Sequence, residues 1–209
     1  MAVLEGGVSG ALQEVDAAHL AGRQSLWPIP AVAWNSFALR SGLLTGVAAD
    51  APVLSFRNLS SNQILVRKVQ LGFVTTTAFS AAQMLDFGLY VARAFTVSDS
   101  AGLAVTLTGD TGSHRASLAP LTSADLRIAD AAALTAGTRT LDAARLGQLA
   151  GWSGAVGESL QKQSLFEPSS HPLVIAQNEG FVIHALTAMG AAGIGRLYVD
   201  VELAEVQSF

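Results

Sequence analysis

The sequence predicts a mainly β protein: an antiparallel β-sandwich of jelly-roll-like type with an extended N-terminal arm. Three observations support this prediction. Apolar and polar residues alternate in several short runs, turn residues separate these runs, and few windows have helical periodicity. The chain has 209 residues, a length that suits one large β domain, or one domain preceded by an arm. We therefore expect an arm over residues 1–31 and a sandwich domain over residues 32–209.

The expected arm has a distinct composition. The stretch "LEGGVSGALQEVDAAHLAG" contains turn glycines and no sustained period, and "LWPIP" follows it. The two prolines of this second stretch favour an extended, polyproline-like path. Such a segment cannot form its own core, so it either packs back on its own domain or inserts into a neighbouring subunit. The candidate interface residues are Leu26, Trp27, Pro28, Ile29 and Pro30.

Three segments of the domain alternate with the period of two that marks strands with one face on a core. In "QILVRKVQLGFVT", one face is expected to hold Leu65, Arg67, Val69, Leu71 and Phe73, and the other Ile64, Val66, Lys68 and Gln70. In "MLDFGLYVARAF", the apolar face holds Leu85, Phe87, Leu89 and Val91. In "RLYVDVELAEV", it holds Leu197, Val199, Val201 and Leu203. The short run "PVLSFRN" is also rich in strand-forming residues.

Between residues 98 and about 157 the chain becomes rich in Ala, Thr, Gly and Ser. Short strands broken by turns are expected there, although "SADLRIADAAAL" also fits a helix capped by Ser123. A loop of this length without structure is unusual in a compact domain. We therefore interpret the segment as an elaboration of the sandwich that makes partner contacts.

The stretch "LVIAQNEGFVIHAL", from Leu173 to Leu186, places a carboxylate and a histidine near each other in sequence. General acid–base catalysis by Glu179 would need a second group in geometric range, and the local sequence offers none. The favoured interpretation is a hairpin between two strands of the core sheet. Either Asn178 or Gly180 would then take a positive φ. His184 is interpreted as a structural histidine.

Three motifs suggest catalysis or phosphate binding at first sight. "GDTGSHRAS" contains the Asp-Thr-Gly-Ser of aspartic proteases at Asp110, but one copy per chain would require a symmetric dimer, and Thr108 and Gly109 precede it where that family has an apolar strand, so a turn is the favoured interpretation. "GWSGA" over residues 151–155 lacks the strand–elbow–helix setting of a nucleophilic serine. "GAAGIG" over residues 190–195 has the wrong spacing for phosphate binding and is interpreted as a hairpin loop before the last strand. We expect no enzymatic activity.

The remaining composition limits partners and cofactors. The net charge is −4 and no cysteine is present, so thiolate metal sites are excluded and no basic groove for nucleic acid is expected. The histidines, at positions 19, 114, 171 and 184, form no local metal-binding pattern. We expect no metal and no cofactor. No segment is typical of a signal peptide or a membrane span.

The low charge favours an assembled state. Only 13% of residues are charged, against about 25% in average globular chains. A free monomer needs polar groups to cover its surface, whereas subunits in an assembly bury part of that surface against each other. The composition therefore indicates a protein that works within an assembly.

Several segments resemble a group of tailed-bacteriophage virion structural proteins. These segments are "LSFRN", "VRKVQL", "ARAFTVSDSAG", "LTAGTRTLD", "HPLVIAQNEGFVIHA" and "VDVELAEV". The similarity covers most of residues 27–206 and is best from Pro172 to Ala185. The motifs are structural, and no catalytic residue is carried over with them. The resemblance implies a β-sandwich protein made late in infection in the bacterial host cytoplasm.

The function implied by this resemblance is that of a capsid decoration, or cement, protein on the outer surface of the virion. Its partners would be the major capsid protein and further copies of itself, with a homotrimer expected. The alternative is a tail, adaptor or receptor-binding component that presents a surface to host glycan. An exposed Trp152 clustered with carboxylates would favour this alternative.

Overall fold

Two antiparallel sheets pack against each other, as predicted, in a computed structural model that describes residues 3–5, 12–16, 21–22, 33–107, 123–166 and 172–206. In chain order, the strands of these residues are β1 (Val3–Glu5), β2 (Leu12–Asp16), β3 (Ala21–Gly22), β4 (Ala33–Arg40), β5 (Ala51–Asn58), β6 (Gln63–Thr77), β7 (Gln83–Val97), β8 (Leu103–Ala104), β9 (Ala124–Ile128), β10 (Thr138–Leu141), β11 (Gly147–Ser153), β12 (Ser159–Phe166), β13 (Leu173–Ile175), β14 (Gly180–Ala185) and β15 (Ile194–Val206). The described ranges contain no helix.

The sheets differ in size. The five-stranded sheet has the order β12-β6-β15-β4, with β13 also paired to β6. The seven-stranded sheet has the order β10-β7-β14-β5-β9-β8, with β11 also paired to β7. Strands β1, β2 and β3 form a separate antiparallel sheet. The arm as an extended unit stays a prediction, and its interface residues Leu26, Trp27, Pro28, Ile29 and Pro30 lie outside the described residues.

Eight strands of the sandwich pair in a nested order. β4 pairs with β15, β5 with β14, β6 with β12, and β7 with β11, all antiparallel. Among these eight, the first therefore pairs with the last, the second with the seventh, and so on inward. A long hairpin rolled into two sheets has this order, so it is compatible with the predicted jelly-roll subtype, which stays an interpretation.

The core lies between the sheets and is built from the inward faces of their strands. Phe73 of β6 meets Phe87 of β7 across the two sheets, with ring centroids 5.8 Å apart. Full burial of such a side chain stabilises the fold by about 1.5–3 kcal/mol. The predicted apolar face of β15 is confirmed, since Leu197, Val199, Val201 and Leu203 all lie in this core. For β7 the prediction is confirmed at Leu85, Phe87 and Leu89.

The predicted faces of β6 are wrong at its start. Lys68 pairs with Glu202, but Val66 pairs with Leu203, so Arg67 is an extra residue on β6. Such a β-bulge shifts the alternation by one position. The residues of β6 that face the core are therefore Ile64, Val66, Val69, Leu71 and Phe73, whereas Leu65 packs on a separate cluster with Ala204 and Val206.

The predicted hairpin within "LVIAQNEGFVIHAL" is also wrong. β13 pairs with β6 in the five-stranded sheet, and β14 pairs with β5 and β7 in the other sheet. The turn between them therefore carries the chain from one sheet to the other. The same holds for "GAAGIG", which covers the end of the loop between β14 and β15 and the first two residues of β15, since these strands belong to different sheets.

The segment of residues 98–157 supplies β8, β9, β10 and β11 to the seven-stranded sheet. "SADLRIADAAAL" contains strand β9 (Ala124–Ile128) and no helix, so the helical alternative is wrong. β9 extends the sheet beyond β5, and β11 pairs with β7 over its whole length. Whether this segment contacts a partner stays a prediction.

Candidate interaction surface

The turn at Glu179 is held by ion pairing and hydrogen bonds. Asn178 has the positive φ that was predicted for this turn, at 59°. One Glu179 carboxylate oxygen accepts from Arg93 Nη1 at 3.0 Å, and the other accepts from the Ala176 backbone N–H at 3.1 Å. Asp142 and then Glu179 raise the pKa of the Arg93 guanidinium through their hydrogen bonds. The predicted turn is confirmed, and the Glu179 carboxylate stabilises it through these contacts.

His184 lies on the outward side of β14 but is buried. Its Nε2 is 3.3 Å from Arg139 Nη2, and its ring stands edge-on to Tyr90 with centroids 5.7 Å apart. Burial first, and the Arg139 charge second, lower the pKa of His184 from 6.5 to about 4. The imidazole is therefore neutral at neutral pH. These contacts fit the structural histidine that the sequence predicted.

Arg139 forms a buried ion pair that the sequence did not reveal. Its guanidinium bonds to the Asp99 carboxylate, and the Arg139 and Asp99 side chains are only 4% and 0% exposed. The Arg139 guanidinium also lies 5.3 Å from the centroid of the Phe95 ring, within the range of a cation–π contact. Burial lowers the pKa of Arg139. The cluster ties the segment after β7 and strand β10 to the outward side of β14.

The motif of residues 151–155 does not have the geometry of a nucleophile elbow. Ser153 ends strand β11, is buried, and shares a hydrogen bond with the Thr75 hydroxyl. The Glu158 carboxylate then accepts from the backbone N–H groups of Gly154 and Ala155, which lower its pKa. The segment is a strand end followed by a braced turn.

Other candidate residues fall outside the structure that is described. Asp110 of the aspartic-protease motif lies there, together with three of the four histidines, His19, His114 and His171. Within the described ranges, no group of three His, Cys, Asp or Glu side chains could hold a metal ion. These ranges also contain no helix with the length and hydropathy needed to cross a membrane.

The outer face of the five-stranded sheet carries paired charges and two shallow grooves. Lys162 Nζ lies 2.6 Å from Asp200, and Arg67 Nη1 lies 3.1 Å from Glu202. Each groove has a volume of about 330 Å³. One is lined by Gly72, Phe73, Val74, Ser159, Leu160, Gln161, Lys162 and Tyr198. These two ion pairs neutralise part of the charge on this face, which also carries Arg40, Lys68 and Arg196.

The outer face of the seven-stranded sheet carries an exposed tryptophan. The Trp152 residue is 70% exposed, and Met84 directly opposite on β7 is 42% exposed. Asp86 pairs with Ala150 on the same two strands. We call Met84, Asp86, Gln148, Ala150 and Trp152 the Trp152 surface. Trp152 is thus exposed and has a carboxylate on the same face.

Neither a scan against models of known protein families nor a search of curated proteins finds a match to this chain.

Proposed function

We propose that the protein is a non-enzymatic structural component of a tailed-phage virion. Specifically, it would be a capsid decoration protein that binds the outer head and stabilises contacts between major capsid proteins. Two points support the proposal: the resemblance of residues 27–206 to virion structural proteins, and the β-sandwich fold that this resemblance implies. A homotrimer on the capsid surface completes the proposal.

The observation that carries the proposal is a surface with little charge and many exposed apolar side chains. The large apolar residues exposed in the described ranges are Leu43, Leu59, Met84, Val97, Leu103, Leu146, Trp152 and Val156. In an assembly, burial of such side chains contributes about 25 cal/mol per Å² of apolar area. Stable interfaces of obligate complexes bury about 2,000 Å² or more, with a more hydrophobic composition than other surfaces.

The stabilising effect would follow from mass action. A protein that binds the assembled shell, and not its separated subunits, shifts the equilibrium toward the shell. A sandwich is suited to this role because its β-sheet hydrogen bonds fix the shape of both outer faces without a ligand. The protein would then act as a rigid clamp between neighbouring capsid subunits.

Electron microscopy of the phage particle tests the proposed location. The particle is imaged with and without the gene for this protein, and the difference density is located. Density on the outer head at regular positions is the expected result. Density at the tail or portal would overturn the decoration role and support the alternative function.

The alternative is a tail, adaptor or receptor-binding component, and one observation favours it. Trp152 is exposed and shares its face with the Asp86 carboxylate. Exposed aromatic rings beside polar groups are suited to ligand recognition because they offer an apolar face and a polar neighbour together. A receptor-binding component would present this surface away from the particle.

A further inference from the structure

Trp152 projects from the outer face of β11 because its neighbours in the strand point inward. Leu149 and Ser153 are buried. A methyl group added at Gly151 would overlap the Leu160 side chain of β12, in the other sheet. Alternation along the strand therefore turns Gln148, Ala150 and Trp152 outward.

The opposite strand supplies an apolar and a polar group at matching positions. Met84 of β7 pairs with Trp152, and Asp86 pairs with Ala150. Gln148 Nε2 donates to both Asp86 carboxylate oxygens, at 2.8 and 2.9 Å. The Trp152 surface thus has an apolar half, made of a ring and a thioether, and a polar half, made of a carboxylate and an amide.

The two halves are separated by a small residue. Trp152 and Gln148 lie on either side of Ala150, and each step of two residues along a strand spans about 7 Å. The Ala150 methyl group leaves the space between them shallow. The Gln148 side chain reaches back to Asp86, which is paired with Ala150, so these polar groups lie about 7 Å along the strand from Trp152. One pyranose ring on Trp152 can therefore place its hydroxyls against Asp86 and the Gln148 amide.

We propose that the Trp152 surface is a binding site for a neutral saccharide. The axial C–H groups of a pyranose carry partial positive charge and pack on the negative face of an aromatic ring. Carboxylate oxygens accept hydrogen bonds, and the amide of Gln148 both donates and accepts them. These are the two kinds of contact that a sugar, with an apolar face and a hydroxyl rim, requires.

The charge at this site selects neutral sugars over acidic ones. Asp86 carries a carboxylate whose hydrogen-bond partner, Gln148, is uncharged, whereas the Arg145 side chain lies over Gly88, opposite Gln148, at the end of the surface away from Trp152. A carboxylated or sulfated sugar would place like charges side by side, which is destabilising. The inference does not rest on the proposed location on the particle, since it uses only the described face of the seven-stranded sheet.

The test is binding of neutral oligosaccharides to the purified full-length protein. An array that holds neutral and acidic oligosaccharides identifies the best probe, and tryptophan fluorescence or calorimetry then gives its Kd. We expect Trp152→Ala to weaken binding about tenfold, since it removes the stacking surface. Trp152→Phe keeps an aromatic face and is expected to restore part of the affinity. Gln148→Ala is expected to weaken binding severalfold.

Val97→Ala is the matched control. Val97 lies on β7 like Met84 and is 54% exposed, but it pairs with Thr138 of β10, far along the strand from the Trp152 surface. It is expected to leave Kd unchanged. The inference is overturned by a wild-type protein that binds no neutral oligosaccharide at millimolar concentration. It is equally overturned by sugar binding that Trp152→Ala leaves intact.

Failure of this test and failure of the proposed function are distinguishable. Purified protein and free oligosaccharides involve no capsid, so a negative result says nothing against density on the head. If Trp152→Ala and Met84→Ala weaken attachment to the particle while no oligosaccharide binds, the Trp152 surface contacts a protein instead. That result would replace the saccharide with a protein partner.

Discussion

At the scale of single residues, the cluster of Asp99, Arg139 and His184 holds buried charge on the outward side of the seven-stranded sheet. An unpaired charge at such a site would be costly, and Asp99 and Arg139 neutralise each other. His184 avoids the cost by staying neutral. A protonated imidazole would stand beside the Arg139 guanidinium, 3.3 Å away, in a site with little water. The cluster therefore accommodates the Arg139 cation, and protonation of His184 beside it is unfavourable.

This exclusion predicts a pH dependence of stability. The pKa of His184 falls from 6.5 in the unfolded chain to about 4 in the folded protein. Between these two pH values, His184 is protonated in the unfolded state and neutral in the folded state. The contribution of His184 is thus fully present above pH 6.5 and is lost as pH falls toward 4, by up to about 3 kcal/mol. Chemical denaturation across this pH range measures it.

His184→Gln is the variant that isolates the effect, since glutamine does not titrate. The free energy of unfolding of the wild type, minus that of the variant, should rise as pH increases from 4 to 6.5 and then level off. Asp50, Arg139 and Tyr90 surround position 184 in both proteins, so the difference isolates the loss of the imidazole. Parallel stability curves for the two proteins would contradict the assignment.

At the scale of elements, the agreement between sequence and structure depends on whether a strand is regular. The apolar face of β15 was predictable because its alternation is unbroken where it meets the core. The faces of β6 were not predictable, because the bulge at Arg67 arises from pairing with β15 and no feature of the sequence near Arg67 indicates it. The alternation of apolar and polar residues in one strand does not indicate the register in which that strand pairs with its partner.

Turns have a similar limit. The sequence predicted a turn with a positive φ at Asn178 or Gly180, and the positive φ is found at Asn178. It took the flanking strands as a hairpin and was wrong, because a turn residue adopts the same local geometry whether the next strand joins the same sheet or crosses to the other. Which sheet a strand joins is decided by long-range pairing.

The bulge itself leads to a prediction. Deletion of Arg67 would remove the extra residue and restore regular alternation through β6, with Ile64 and Val66 still facing the core. The burial of both side chains is retained, so the deletion is expected to lower the free energy of unfolding by only about 1 kcal/mol, through loss of the partly exposed ion pair of Arg67 with Glu202. Arg67→Ala keeps the bulge and removes only the partly exposed contacts of one side chain, so its cost should be similar. Urea denaturation of both variants makes the comparison.

The result that would contradict this prediction is a deletion variant far less stable than Arg67→Ala. Such a loss would mean that the bulge itself, and not only the faces that it sets, stabilises β6.

The candidate sites were predictable only in part. The sequence named Trp152 as the residue whose exposure would matter, but its exposure depends on Gly151 facing the other sheet, which only the fold reveals. Asp99 and Arg139 are 40 residues apart in sequence, and nothing local connects them. Single residues were thus identifiable as candidates, whereas their neighbours were not.

At the scale of the whole molecule, the arm of residues 1–31 is the part we expect to reach an adjacent subunit. Strand β4 begins at Ala33, just after this arm, so its removal leaves the strands of the two packed sheets intact. We predict that deletion of residues 1–31 weakens capsid association at least about tenfold, since interface anchors such as Trp often carry more than 1.4 kcal/mol. Sedimentation of capsids with bound protein measures the change.

Circular dichroism of the truncated protein is the necessary control, and it should retain the β signal of the sandwich. A narrower variant, Trp27→Ala, tests the segment from Leu26 to Pro30 with the rest of the arm in place. Truncated protein that decorates heads as tightly as the full-length chain would refute the assignment of the arm.

The nested pairing of the eight sandwich strands sets the order in which the chain can fold. β7 and β11 are close in sequence, whereas β4 and β15 lie at opposite ends of the domain; Ser41 and Leu197, which meet beside them, are 156 residues apart. Closing the longest loops is least costly after the inner pairs have formed, and such topologies fold on the order of milliseconds to seconds. During synthesis on the ribosome, β4 can therefore pair only after β15 has been made. The arm next to β4 is attached to a folded sheet only from that point.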